Sequence, residues 1–118
     1  MTAPSTEPVY VISVVARKIG VHAQTLRIYE REGLVQPARS RGGLRMYSEA
    51  DIERLRLIRR LMDELGVNIA GVDVILNLME RVGALEQQIE TLQDELQRAR
   101  DRHLPAPQPF RPQAREEA

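Results

Sequence analysis

Apolar residues in the second half of the chain recur in alternating steps of three and four positions. This spacing places the side chains along one seam of an α-helix, the heptad pattern of a coiled coil. We therefore predict a coiled-coil helix over residues 78–103. The residues expected to mediate dimerisation are Leu78, Val82, Leu85, Ile89, Leu92, Leu96 and Ala99.

A helix with a single apolar seam has two ways to remove that seam from water. It pairs with the seam of a second copy, which we expect, or it packs back against the first half of its own chain. Charge pairing does not decide the orientation of a pair. A parallel pair matches Arg81 with Glu86 and Glu95 with Arg100, whereas an antiparallel pair matches Arg81 with Glu95 and Glu86 with Arg100.

The first half of the chain contains two short helical patterns separated by glycine. The first covers residues 14–19, with Ser13 as the expected N-cap and Gly20 after its last residue. The second covers residues 23–32, with His22 near its N-cap, and ends before Gly33. Two short helices joined by a tight turn predict a helix-turn-helix.

Residues 35–47 have a different pattern, which predicts a β-hairpin, or wing. Pro37 blocks continuation of a helix, and the pair Gly42-Gly43 is a turn signal between two short extended pieces.

Two further helices are predicted after the wing. Ser48 and Asp51 have the spacing of a capping box, and Asn68 is the expected cap of the following helix. Gly66 is expected to end the first of these helices. Its apolar face is predicted to contain Ile52, Leu55, Ile58, Leu61, Met62 and Leu65, and the buried face of the second is predicted to contain Ile69, Val72, Ile75 and Leu76.

The predicted fold is mainly α: a winged helix-turn-helix head with a small β-hairpin wing, followed by a C-terminal dimerisation coiled coil. Residues 1–8 are expected to form a flexible N-terminal arm, and residues 9–77 the head. Residues 104–118 are expected to form a disordered proline-rich tail. Phe110 in that tail is either a docking point for another protein or part of an inert segment.

Composition excludes several classes of function. The chain has no cysteine and only two histidines, far apart in sequence, so we expect no metal site, no cofactor and no thiol chemistry. Neither histidine has a neighbouring nucleophile or carboxylate pair, so we expect no enzyme. The N-terminus lacks a secretory signal and no apolar run approaches the roughly 18 residues that cross a bilayer. We therefore expect a cytoplasmic, nucleoid-associated protein without a membrane partner.

The formal net charge of zero conceals two oppositely charged parts. Residues 1–47 carry seven Arg or Lys and three acids, 7 − 3 = +4, and the remainder carries ten and fourteen, 10 − 14 = −4. A basic head favours contact with nucleic-acid phosphates. The alternative is that the charges are scattered along the chain by chance.

Candidate DNA-binding residues lie in the second helix and in the wing. Gln24, Arg27 and Arg31 share one outward stripe of the helix, and three arginines and a tyrosine follow in the wing, at Arg39, Arg41, Arg45 and Tyr47. Glutamine suits adenine and arginine suits guanine or phosphate. The alternative is an ordinary solvated helix face.

The runs TLRIYEREGLVQPAR and GGLRMYS resemble the DNA-binding head of the MerR family of transcription regulators. The resemblance covers about residues 9–78, and the heptads match the dimerisation helix of that family. It implies an antiparallel coiled-coil dimer and DNA contacts by Thr25, Arg27, Tyr29, Arg45 and Tyr47. The complete predicted DNA-binding set is His22, Gln24, Thr25, Arg27, Tyr29, Arg31, Arg39, Arg41, Arg45 and Tyr47. Ile28 departs from the family, which often has an aromatic residue there.

Within the family, the heat-shock repressors of the HspR group are the members that this sequence resembles most, through the runs VYVISVVARKIGVHAQTLRIYEREGLV, RGGLRMYS and GVNIAGV. That resemblance implies a homodimer on an inverted repeat in double-stranded DNA, repression of chaperone genes, and the chaperone DnaK as a possible co-repressor. No small-molecule effector is expected, because the chain has neither cysteines nor room for an effector domain. The alternative function is a protein-interaction module that modulates a chaperone or co-chaperone without binding DNA.

Overall fold

A computed structural model describes residues 3–103 of the chain. Its elements, in order, are β1 (Tyr10–Val11), α1 (Ile12–Ile19), α2 (Ala23–Arg31), β2 (Ala38–Arg39), β3 (Arg45–Tyr47), α3 (Glu49–Asp63) and α4 (Ile69–His103). The chain divides into two compact units, the first ending at Glu80 and the second beginning at Arg81. The predicted mainly helical fold with a small β wing is confirmed. Phe110 and residues 104–118 lie outside the described residues.

Helices α1 and α2 form the helix-turn-helix through a glycine turn. Gly20 has a positive φ of 84°, and its N–H and that of Val21 donate to the carbonyl of Ala16 at 2.8 and 3.0 Å. A Cβ at Gly20 would lie 2.7 Å from Nη1 of Arg59, which donates a hydrogen bond to the carbonyl of Ile19. Glycine therefore suits this position for two reasons: it adopts the left-handed backbone conformation readily, and it leaves room for the Arg59 side chain of α3.

The start of α1 differs from the prediction. The helix begins at Ile12 after Val11, without a side-chain cap, so the expectation that Ser13 caps it is wrong. Strand β1 explains the difference, because Tyr10 and Val11 pair with Tyr47 and Met46 of β3. This pairing leads the chain directly into the helix.

The wing is a three-stranded antiparallel sheet in the order β1-β3-β2. Ala38 and Arg39 pair with Met46 and Arg45, which confirms the predicted hairpin. The turn at its tip is closed by the N–H of Gly43, which donates to the carbonyl of Ser40 at 2.9 Å. The sheet therefore contains the predicted hairpin and a third strand that the sequence pattern did not indicate.

Part of the expected N-terminal arm is attached to the rest of the head. The Ser5 carbonyl accepts a hydrogen bond of 2.9 Å from the N–H of Ala50, in the first turn of α3. The next residue after the arm, Val9, donates from its N–H to the carbonyl of Tyr47 at 3.0 Å. The segment thus supplies an acceptor to a helix N–H that has no partner within its own helix.

The predicted capping box at the start of α3 is confirmed. Asp51 N donates to Ser48 Oγ and Ser48 N donates to Asp51 Oδ2, both at 3.0 Å. The helix ends at Asp63, before the expected Gly66, and Leu65 is 63% exposed. Leu65 was therefore wrongly placed on the buried face, because it lies in the turn after the helix.

Helix α4 begins with the predicted cap, since Asn68 Oδ1 accepts a hydrogen bond of 2.8 Å from Gly71 N. Val72 and Leu76 are buried in the core, and Ile69 and Ile75 pack partly against it. The helix continues through Gly83 to His103. Within residues 3–103, no helix is long and apolar enough to span a membrane.

Candidate nucleic-acid interface

The structure brings the predicted stripe of α2 together with the wing. A concavity with a volume of about 430 Å³ lies between them. It is lined by side chains of α2 and by one of β3: Gln24, Arg27, Glu30, Arg31 and Arg45. Arg27 Nη1 lies 3.5 Å from Gln24 Oε1, at the limit of a hydrogen bond. The side chains proposed for base recognition therefore lie on one face with a wing arginine, although their contact with DNA stays a prediction.

The first turn of α2 presents a favourable surface for anions. His22 is the N-cap residue, is exposed, and makes no capping hydrogen bond with its side chain. Thr25, which follows in the first turn, is half-buried, and no acidic residue occupies that turn. The positive end of the helix dipole is thus uncompensated, which suits a phosphate.

The end of α2 is fixed by a Schellman motif. Gly33 has a φ of 79°, Gly33 N donates to the Glu30 carbonyl at 3.0 Å, and Leu34 N donates to the Tyr29 carbonyl at 2.9 Å. This confirms Gly33 as the residue that terminates the helix. The motif fixes the backbone of Glu30, whose side chain extends toward the wing.

The three wing arginines have different surroundings. Arg45 Nε donates to Glu30 Oε1 at 2.5 Å, and Arg39 Nη2 donates to Glu30 Oε2 at 3.0 Å. Arg39 also donates from Nη1 to the carbonyl of Gly43 at 3.1 Å. Arg41 is exposed and makes no side-chain hydrogen bond within residues 3–103. The wing therefore contains two arginines bound to an acid and one that extends into solvent.

Glu30 was not among the residues predicted from the sequence. The hydrogen bond from the Arg45 guanidinium lowers the pKa of the Glu30 carboxyl below its usual value, and the charge of Arg39 acts in the same direction. An acid inside an otherwise basic stripe was the only signal in the sequence. Its two partners could be identified only once the wing was seen to fold against α2.

Tyr29 and Tyr47 lie in the core. The completely buried Tyr47 hydroxyl does not reach the surface, contrary to the DNA contact that the resemblance implied, whereas the contact of Tyr29 with DNA stays a prediction. Both are buried, Tyr47 completely, and burial raises the pKa of each hydroxyl. The Tyr47 hydroxyl has no hydrogen-bond partner among the described residues. Their aromatic rings stabilise the packing of α2 and β3 behind the basic face.

We expect the substitution Tyr47→Phe to raise the free energy of unfolding by about 1 kcal/mol, because it removes a buried hydroxyl that lacks a partner. Urea denaturation of both proteins at equal concentration measures the difference. Duplex binding should stay unchanged. A loss of stability, or a tenfold loss of affinity, would show instead that the hydroxyl makes a contact.

The predicted dimerisation seam is exposed along α4. The six large residues Leu78, Val82, Leu85, Ile89, Leu92 and Leu96 are each between 48% and 59% exposed, and Ala99 is half-buried. Rows of exposed aliphatic side chains are typical of surfaces at which proteins associate, and the role of this row in dimerisation stays a prediction.

The sequence profile of the MerR HTH family regulatory proteins matches residues 10–78. The chain belongs to this family. Residues 10–78 therefore form the helix-turn-helix head of a family of regulatory proteins, as the sequence predicted.

Two curated relatives are similar to this chain over part of its length. A Streptomyces coelicolor protein assigned as the heat shock protein HspR is 49% identical over 79 residues, which are 67% of this chain and 52% of that protein. The mercuric resistance operon regulatory protein of Bacillus cereus is 42% identical over 71 residues, which are 59% of this chain and 53% of that protein. The chain thus spans about half the length of these relatives.

Solved structures with the same fold include two MerR-type regulators. The lead(II) complex of PbrR691 from Ralstonia metallidurans has a TM-score of 0.56 and 30% identity, covering 84% of this chain and 91% of that one. HiNmlR, a MerR family regulator lacking the sensor domain and bound to promoter DNA, has a TM-score of 0.55 and 28% identity, covering 78% of both chains.

Proposed function

We propose that this regulator is a sequence-specific repressor of heat-shock and chaperone genes, and that it binds an inverted repeat as a homodimer. The observation that carries the DNA-binding part is the concave face on which Gln24, Arg27 and Arg31 of α2 meet Arg45 of the wing. Glutamine and arginine side chains pair with adenine and guanine edges in the major groove.

Each element has its own role in the proposed complex. Helix α2 enters the major groove, where Gln24, Arg27 and Arg31 contact base edges or phosphates, and the helix N-terminus with His22 and Thr25 contacts the backbone. Arg41 of the wing contacts phosphates, and Arg45 contacts the minor groove, whose shape depends on the sequence. Two heads carried by one dimer bind the two halves of a symmetric site.

The heat-shock role is supported by the 49% identity with the HspR protein of Streptomyces coelicolor. Repression then follows by occlusion, because heads bound across a promoter exclude polymerase. We propose DnaK as a co-repressor, and heat or withdrawal of the chaperone as the signal that releases the DNA. Direct sensing of a small molecule is not part of this proposal.

The seam along α4 supports the homodimer. Seven residues from Leu78 to Ala99 form one apolar row, and a second copy offers the same row. The seam thereby links the two DNA-binding heads that an inverted repeat requires.

Selection of duplexes from a random pool by the purified protein, followed by footprinting of the region upstream of its own gene, tests this function. We expect a selected inverted repeat that also occurs upstream of chaperone genes. Binding that shows no preference for sequence, or an affinity that neither heating nor DnaK changes, contradicts the corresponding part of the proposal.

Replacing Arg27 or Arg45 with Ala should weaken binding to the selected duplex by about 1 to 3 kcal/mol each, that is by roughly 5- to 150-fold. Arg98→Ala is the matched control, because it removes one exposed arginine from α4. Fluorescence anisotropy at fixed salt measures all three affinities. Equal losses in all three variants would indicate attraction by overall charge without base recognition. Unchanged binding in all three would show that neither Arg27 nor Arg45 contributes to recognition of the duplex.

A further inference from the structure

Two wing arginines occupy directly opposite positions in the sheet. Arg39 on β2 pairs with Arg45 on β3. Like charges at opposite positions in an antiparallel pair repel each other and destabilise it. Glu30 of α2 offsets this repulsion, because each of its carboxylate oxygens accepts a hydrogen bond from one of the two guanidinium groups. The three residues, here called the Glu30 clamp, join the wing to α2.

The clamp uses different atoms of the two arginines. Arg39 is engaged through both terminal nitrogens, with Nη2 on Glu30 and Nη1 on the Gly43 carbonyl. Arg45 donates through Nε alone, and its Nη1 and Nη2 make no hydrogen bond within residues 3–103. Arg45 also lines the concave face beside Gln24, whereas Arg39 does not. Of the two arginines in the clamp, Arg45 therefore has the terminal fork that is available for a ligand.

We propose that Glu30 is a positioning residue for DNA recognition, which holds Arg45 through Nε so that both Nη groups remain directed to the duplex. Arg39 is the second anchor of the clamp and stabilises the wing without contacting DNA. The inference rests on the proposed DNA binding and assigns a role to an acid that would otherwise oppose it.

Simple electrostatics predicts the opposite effect of removing Glu30. A carboxylate near phosphates repels them, so neutralising it should raise affinity for every duplex and increase the dependence on salt. A positioning role predicts lower affinity for the preferred sequence, because a guanidinium that is no longer held samples more orientations before it binds. The two accounts therefore differ in the sign of the change.

The test compares Glu30→Gln with Glu32→Gln in the full chain. Both changes remove one negative charge at the end of α2, and Glu32 is exposed and makes no side-chain hydrogen bond within the described chain. The probes are the duplex that the wild-type protein selects from a random pool and a scrambled duplex of the same composition. We expect Glu30→Gln to weaken binding to the selected duplex about tenfold without weakening binding to the scrambled one. Glu32→Gln should not weaken either.

A second pair of variants separates positioning from folding. Arg45→Lys keeps the charge but loses the planar fork, so it should lower selected-duplex affinity as Glu30→Gln does. The double variant should be little worse than either single one, because both remove the same arrangement. Arg39→Gln should have a smaller effect than Arg45→Gln. Circular dichroism and thermal unfolding establish that each variant is folded before its binding is compared.

The outcomes distinguish this inference from the function on which it rests. If the wild-type protein binds no duplex in preference to another, the proposed function fails. If the wild-type protein is selective and Glu30→Gln binds the selected duplex as tightly or more tightly, the positioning role of Glu30 is overturned. The positioning role is also overturned if the losses of selected-duplex affinity in Glu30→Gln and Arg45→Lys add fully in the double variant, since the two residues would then act independently.

Discussion

Replacing Leu85 and Leu92 with aspartate is expected to convert the proposed homodimer into a monomer and to abolish tight binding to an inverted repeat. Both leucines lie on the exposed seam of α4. Burial of one leucine contributes about 1.5–3 kcal/mol, and the dimer loses four of them. Because each 1.4 kcal/mol changes an equilibrium constant tenfold, the dissociation constant of the dimer should increase by at least about 10⁴-fold. The cost of burying the aspartate charges adds to this increase.

The matched control places the same two aspartates at exposed positions off the seam, Gln87→Asp with Thr91→Asp. Sedimentation equilibrium at micromolar concentration gives the mass of each variant, and anisotropy gives its affinity for the selected duplex. The control should stay dimeric. A seam variant that remains a dimer would place the interface elsewhere, and a monomeric wild-type protein would support packing of the seam against its own head.

Elements with a local signal were predictable from the sequence. The Ser48 and Asp51 capping box, the Asn68 cap and the glycine turn at Gly20 each depend on residues within a few positions of one another. Their hydrogen bonds form within one turn of chain, so the residue types alone indicate them. The helix boundaries that follow from these signals agree with the structure to within a few residues.

Elements that depend on distant partners were not predictable in the same way. Strand β1 has only two residues and exists because it pairs with β3, much later in the chain. Ser13 was mistaken for a cap because that pairing was not visible in the sequence. Arg54 similarly donates to the carbonyl of Leu34 at 2.5 Å and to Glu80 at 2.8 Å, contacts that link segments far apart in sequence.

The candidate site likewise contains features that the local sequence predicted and features that depend on distant residues. Helical spacing was sufficient to place Gln24, Arg27 and Arg31 on one stripe. It could not reveal that Tyr47 turns its ring into the core, since alternation along a three-residue strand does not show which side of the strand is buried. Nor could it reveal the role of Glu30, because both of its partners belong to a separate hairpin.

Leu55→Ala should lower the free energy of unfolding by about 2–5 kcal/mol. The same substitution at Leu65 should have a much smaller effect, because the two leucines differ in burial. The two residues were placed on the same helical face from the sequence, yet Leu55 is 0% exposed and Leu65 is 63% exposed. Leu65→Ala is therefore the control, with an expected change within about 0.5 kcal/mol. Denaturation at equal protein concentration, followed by circular dichroism, measures both variants. Because domains of this size have a total stability of about 5–15 kcal/mol, Leu55→Ala should also weaken DNA binding at elevated temperature. Equal destabilisation by the two substitutions would contradict the core that the structure assigns to α3.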